Sequence, residues 1–269
     1  MRESSSYNGM SYVLDAPYDF FNRRRPLVVV LHGGGGGGQQ VEWQSNMYSA
    51  IRAEKFIALY PYGIPFGIGH FWNASPNAKD EKLAQANHVR MLDNLVNHIR
   101  TKCKISQVFT CGISNGAHMA YKWASESYTV RGIGAIAGQR AVGQYMDVPK
   151  RGIPLIHFHG RLDTFNPIDG GQSNEQQSAF ETYEIYSLSD CIGSWVRHNQ
   201  LNDSKLSRNK PDILCTSWGG INPISRIILE NGGHTWPGGK VSKFESDNGV
   251  GPLVDFPASQ LMLQFFQSV

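Results

Sequence analysis

Val108-Phe109-Thr110-Cys111-Gly112-Ile113-Ser114-Asn115-Gly116-Ala117-His118-Met119-Ala120 is the stretch on which the reading of this chain turns. An apolar run rich in strand formers enters a Gly-x-Ser-x-Gly turn, then leaves through Met119-Ala120-Tyr121-Lys122-Trp123-Ala124, which reads as a helix start. A serine between a strand and a helix in this pattern sits at the tip of a tight reversal, the context of a nucleophile elbow. The reversal needs small neighbours two residues away on each side, and Gly112 and Gly116 supply them. It also brings the Asn115 backbone N–H and the positive end of the following helix near the serine oxygen.

The same alternation of strand and helix extends in both directions. Upstream, Gly9 to Asp15 reads as an edge strand and residues 16–26 as a polar, aromatic turn. Leu27-Val28-Val29-Val30-Leu31 is uninterrupted and apolar, as a parallel strand covered on both faces should be. Val41 to Lys55 has helical spacing, Phe56 to Tyr60 is a strand stopped by Pro61, and Tyr62 to Asn77 is a Gly-, Pro- and aromatic-rich loop. Val89, Leu92, Leu95, Val96 and Ile99 recur at three-to-four spacing, predicting an amphipathic helix over Lys82 to Lys102. Downstream, Ile133 to Ala137, Leu155 to His159 and Arg226 to Glu230 read as strands, and Pro257 to Gln267 as a closing helix. This pattern predicts an α/β fold, a mostly parallel central sheet with helices on both faces. Residues 170–223 are expected to form a helix near Ser187 to His198 plus an irregular insertion over the sheet, within one domain spanning residues 1–269.

Composition narrows the classes. A chain of 269 residues, 41% hydrophobic, can bury a full core. The formal charge of +3 and a longest basic run of Arg23-Arg24-Arg25 give no nucleic-acid surface. No apolar stretch is long enough for a membrane span, and Met1-Arg2-Glu3-Ser4-Ser5-Ser6 lacks the apolar core of a signal peptide. A cytoplasmic protein, or a mature form with its leader removed, is expected. Cys103, Cys111, Cys191 and Cys215 show no Cys-x-x-Cys spacing; Cys111 reads as a buried thiol, and pairing of Cys191 with Cys215 is left open.

Ligands on such sheets bind at the carboxyl ends of the strands. Those ends carry His32-Gly33-Gly34, Ser114, Gly160-Arg161-Leu162-Asp163 and Gly232-Gly233-His234, so a nucleophile, an acid and a base follow in the order Ser, Asp, His. In this assignment His234 takes the proton of Ser114, Asp163 holds the imidazole, and the N–H groups of Gly34 and Asn115 receive the oxyanion. Trp236 beside the base and Trp72 in the loop are candidates for an aromatic wall around the substrate. His118, one helical turn beyond Ser114, is a rival base, but its side chain should run along a buried helix. His157 and His159 alternate on one strand face, yet no third metal ligand accompanies them. Neither metal nor cofactor is expected. Gly33 to Gly38 also satisfies the Gly-x-Gly-x-x-Gly dinucleotide fingerprint between a strand and a helix, which admits a nicotinamide-dependent oxidoreductase as an alternative. That site wants an acidic residue at the end of the next strand, and here the strand ends Leu59-Tyr60-Pro61. A binding protein without catalysis on the same scaffold is the other alternative.

His32-Gly33-Gly34-Gly35-Gly36, Gly112-Ile113-Ser114-Asn115-Gly116, His159-Gly160-Arg161-Leu162-Asp163 and Gly232-Gly233-His234-Thr235-Trp236-Pro237-Gly238-Gly239 resemble the polyhydroxybutyrate depolymerase and feruloyl esterase family of α/β-hydrolases. The resemblance runs from about Met10 to the end, and the last motif is its most specific part. It implies an α/β-hydrolase fold, Ser114 as nucleophile, Asp163 as acid and His234 as base. It also implies a small or polymer-linked ester as substrate: a hydroxycinnamate, a short acyl group on a polysaccharide, or a 3-hydroxyalkanoate oligomer. Two departures stand out. The family's Asp-Asp pair before the elbow is replaced by Asn87-His88, and its Gly-Gly-Met after the elbow by Gly116-Ala117-His118.

Overall fold

Alternate residues of the valine-rich run face opposite sides of a sheet. Leu27, Val29 and Leu31 join one hydrophobic cluster, Val28 and Val30 the other, and all five are fully buried. That double burial is what an all-apolar parallel strand requires. The computed structural model describes residues 1–17, 22–67, 69–143, 149–173, 179–247 and 249–269. Residues 18–21 of the expected aromatic turn and 174–178 of the expected insertion lie outside the described residues.

In chain order the elements are β1 (Arg2–Tyr7), β2 (Met10–Asp15), β3 (Arg25–Leu31), α1 (Gly38–Ser45), α2 (Met47–Glu54), β4 (Ile57–Pro61), β5 (Ile64–Phe66), β6 (Gly69–Phe71), α3 (Glu81–Gln85), α4 (His88–Lys102) and β7 (Ile105–Ile113). They continue as α5 (Asn115–Glu126), β8 (Gly132–Ile136), β9 (Leu155–Gly160), β10 (Gly171–Gln172), β11 (Glu184–Ile185), α6 (Leu188–His198), β12 (Ser204–Lys210), β13 (Ile213–Trp218), β14 (Ile224–Leu229), α7 (Lys243–Asp247) and α8 (Ala258–Gln267). The main sheet runs β1-β2-β4-β3-β7-β8-β9-β14-β13-β12. From β4 to β14 every neighbouring pair is parallel; β1, β2, β13 and β12 flank them antiparallel.

One face of the sheet is covered by α4, α5 and α6, through Leu92, Val96, Ile99, Trp123 and Trp195. The other is covered by α1, α2 and α8, through Val41, Ile51, Met262 and Phe266. Phe266 of α8 stacks on Phe109 of β7 at 4.6 Å between centroids, so the closing helix packs directly under the elbow strand. Helices on both faces of a mostly parallel sheet are the predicted architecture.

The departures have local causes. Asn46, in the left-handed conformation, splits the helix expected over Val41 to Lys55 into α1 and α2. The helix expected over Lys82 to Lys102 is likewise two, because Ala86 is extended and Asn87 caps α4 by accepting the Arg90 N–H at 3.0 Å. The Tyr62 to Asn77 loop contains the β5-β6 hairpin. The insertion is not irregular throughout. β13 and β12 extend the main sheet from β14, which moves the sheet edge well past the strand expected to end it. The four cysteines, Cys191 and Cys215 among them, are free thiols.

Candidate active site

The elbow is built by backbone contact. A Cβ on Gly112 would lie 2.5 Å from the Gly116 backbone and 2.9 Å from the Leu31 carbonyl, so both glycines are required for strand and helix to meet. Ser114 between them has φ 56 and ψ −125, a strained conformation for a residue with a side chain. It is held there because its N–H donates to the Ile136 carbonyl at 3.0 Å, while its carbonyl accepts the Ala117 and His118 amides at 2.8 and 3.0 Å. Ser114 is only 7% exposed.

Asp163 and His234 are brought together by the loops after β9 and β14. The Leu162 amide donates to the Gly232 carbonyl at 2.8 Å, and the Gly233 amide donates to Pro252 at 2.8 Å. Asp163 Oδ2 then lies 2.8 Å from His234 Nδ1, while Asp163 Oδ1 accepts the amides of Phe165 and Asn166, each at 2.9 Å. Burial pushes the Asp163 carboxyl up, but His234, His159 and the Asn166 amide together outweigh it and hold it below its ordinary value. An ionised carboxylate only accepts, so His234 Nδ1–H is the donor in this bond. His118 of α5 lies within electrostatic reach of the pair. Its amide bonds Ser114, and both His234 and Asp163 act electrostatically on its ring.

The glycine loop runs beside the elbow. A Cβ on Gly33 would sit 3.6 Å from Ser114 Cβ, and one on Gly34 would sit 3.8 Å from Asn115 Cβ. His32 fixes this loop: its Nε2 accepts the Gly63 N–H at 3.0 Å and its Nδ1 donates to the Gly33 carbonyl at 2.8 Å. Burial drives His32 down to about 3, so it stays neutral in this role. The Gly35 amide donates to the His70 carbonyl at 3.0 Å and the Gly36 amide to Gly33 at 3.1 Å. Among the described residues the Gly34 amide donates to no backbone carbonyl, and Asn115, first in α5, has no carbonyl upstream in its own helix. The rings of Phe71 and Tyr62 cover the loop: a Cβ on Gly34 would come within 2.8 Å of Phe71 and one on Gly37 within 2.7 Å of Tyr62.

The aromatic wall expected from Trp72 and Trp236 is not there. Both side chains are 0% exposed, because their indoles are consumed inside the protein. Trp72 Nε1 donates to the His32 carbonyl at 2.9 Å, its amide donates to Asn115 Oδ1 at 2.8 Å, and its carbonyl accepts Asn115 Nδ2 at 3.1 Å. Trp72 thus ties the glycine loop to the elbow instead of facing a ligand. Trp236 Nε1 donates to Ser259 Oγ at 2.9 Å within the α8 cluster. The aromatic residue beside His234 is Phe165, partly exposed and stacked on its ring at 5.0 Å. Only its place two residues after Asp163 could have flagged it in sequence.

His118 is fully buried, its Nδ1 3.1 Å from Ser75 Oγ and 3.4 Å from Tyr183 Oη; burial, with His234, lowers it to about 3. At the Asn87-His88 departure, His88 is buried against Trp72 and its Nδ1 accepts the Asn73 N–H at 3.0 Å. That pair caps a helix and steadies the Trp72 loop.

No family model matches the chain. The curated protein described as "Putative esterase NocK", from Nocardia uniformis subsp. tsuyamanensis, is 25% identical over 219 residues, which are 75% of this chain and 62% of that protein. The chain therefore spans about three-fifths of that relative's length. Among solved structures, an acetyl xylan esterase from Aspergillus awamori superposes with a TM-score of 0.64 at 17% identity, covering 92% of this chain and 97% of that one. An S-formylglutathione hydrolase from Agrobacterium tumefaciens gives 0.57 at 11% identity, covering 87% and 88%. The Bacillus cereus carboxylesterase gives 0.55 at 14% identity, covering 97% and 95%. At these identities the likeness is one of architecture: the chain has the α/β-hydrolase fold.

Proposed function

We propose that this protein is a serine hydrolase of carboxylic esters. The observation that carries the reading is the 2.8 Å hydrogen bond between Asp163 and His234, in the loops after β9 and β14 of the sheet whose strand β7 leads into the strained serine elbow. In this reading His234 Nε2 removes the Ser114 proton as the hydroxyl attacks the ester carbonyl, and Asp163 keeps the ring oriented and stabilises the imidazolium. The Gly34 and Asn115 amides donate to the developing oxyanion; losing one such donor slows turnover by about 10² to 10³-fold. The alcohol leaves with the proton from His234, and water repeats the cycle to release the acid. The curated relative and two of the superposed structures, those from Aspergillus awamori and Bacillus cereus, carry the name esterase, which supports the same chemistry.

For the substrate we propose a short acyl group on a carbohydrate. The Aspergillus awamori protein that superposes on this one is an acetyl xylan esterase, which supports this choice. The test compares acetylated xylan, methyl ferulate, p-nitrophenyl acetate and 3-hydroxybutyrate oligomers. Highest kcat/KM on acetylated xylan, with Ser114→Ala losing about 10⁴-fold or more, is expected. Preference for ferulate or hydroxybutyrate would replace the substrate assignment, and hydrolysis surviving Ser114→Ala would remove the mechanism.

A further inference from the structure

Two buried histidines that the proposed chemistry does not use stand behind the acid. His157 and His159 lie on the same face of β9, with Tyr121 of α5 beyond them, and all three side chains are essentially inaccessible. Their hydrogen bonds can run in only one direction. The Asn166 carbonyl, 2.9 Å from His159 Nε2, can only accept, so that nitrogen carries the proton. Burial keeps His159 neutral, so its Nδ1 is an acceptor and takes the proton of His157 Nε2 at 3.1 Å. His157, also held neutral by burial, has a bare Nδ1, and Tyr121 Oη donates to it at 2.8 Å. Every ring nitrogen of the two histidines is therefore engaged.

The line ends on the acid. Asn166 is the residue whose amide holds Asp163 Oδ1, and the His159 N–H lies 3.6 Å from Asp163 Oδ2, the oxygen that meets His234. Other charged or titratable groups face the line from its neighbours: His118 from α5, Arg226 from β14 in register with His157, and His234 from the loop after β14. We infer that Tyr121, His157 and His159 are positioning residues for the acid. The line fixes the Asn166 carbonyl, and with it the turn that aims Asp163 Oδ2 at His234. Polar chains of this kind hold their geometry when their donors and acceptors are matched, as all four ring nitrogens are here.

This inference rests on the triad reading, and the test separates the two. His159→Leu, His159→Gln and Tyr121→Phe are each made in the native and in the Asp163→Asn background, and kcat and KM are measured on p-nitrophenyl acetate. His159→Leu is expected to lower kcat about 10 to 100-fold with KM changed less than about 2-fold, the scale on which supporting hydrogen bonds act. Glutamine, whose amide can still donate to the Asn166 carbonyl, restores kcat to within about 5-fold of native. Tyr121→Phe, a milder change that serves if His159→Leu does not fold, lowers kcat about 3 to 10-fold. In the Asp163→Asn background all three change kcat by less than about 2-fold, because their target is gone. Equal losses in both backgrounds, or none in the native one, would overturn the inference while leaving the triad intact. An Asp163→Asn protein with native activity would overturn the triad reading itself.

Discussion

At the scale of single residues, the site depends on side chains that are missing as much as on those present. Gly34 has no Cβ, and one placed there would meet the Phe71 ring at 2.8 Å, a ring already wedged between Phe66 and Phe180. Gly34→Ala is therefore expected to shift the loop amide off the oxyanion and lower kcat about 10 to 100-fold, with Tm nearly unchanged because the residue is exposed. Stopped-flow or steady-state kinetics beside a thermal melt will separate the two effects; a fall in Tm without a fall in kcat would contradict the assignment. Much of this scale is legible in sequence. Ser114, Asp163 and His234 stand out because each follows a strand end in a recognisable order, and the structure places Asp163 against His234. The tryptophans mislead because sequence shows a large amphipathic side chain but not whether its N–H is spent inside. Trp72 and Trp236 both spend theirs on buried acceptors.

At the scale of elements, what is legible follows periodicity. Leu27 to Leu31 of β3, Val108 to Ile113 of β7 and all of β9 are buried on both faces, and their short runs of strand formers read as central strands. β12 and β13 carry neither continuous apolar character nor clean alternation. Their sheet membership comes from pairing with β14, a tertiary fact absent from local sequence. The breaks at Asn46 and Ala86 are likewise hidden, since hydrophobic spacing continues through both. The His157-His159 line depends on Tyr121, 36 residues from His157 in sequence, so no motif announces it. The closing helix gives a direct test of packing. Phe266 is 1% exposed and stacked on Phe109, so Phe266→Ala should destabilise the fold by about 3 to 5 kcal/mol. Urea unfolding measures this, and a loss below about 1 kcal/mol would mean that α8 is not clamped to the elbow strand.

At the scale of the whole molecule, the buried histidines impose a pH dependence on stability. Burial lowers His32 and His118 to about 3 and His88 to about 4, and lowers His157 and His159 as well. Below their ordinary value of 6.5 the unfolded chain binds protons that the folded one refuses, so stability falls as pH falls. Each such group contributes roughly 1 kcal/mol per pH unit over that window. Asp163, whose folded value is depressed, adds stability above its ordinary 3.8, and that is lost only as pH falls further through its folded value. The melting temperature should therefore drop steadily from pH 7 to pH 5; a flat profile down to pH 5 would show that these histidines protonate in place. All of the proposed chemistry requires that His234 activate the Ser114 hydroxyl as a nucleophile. Intact-protein and peptide mass spectrometry after treatment with a fluorophosphonate tests it most directly. A single adduct on Ser114 is expected, absent in Ser114→Ala and formed at least about 10³-fold more slowly in His234→Ala. An adduct on another residue, or on Ser114 at an undiminished rate without His234, would contradict it.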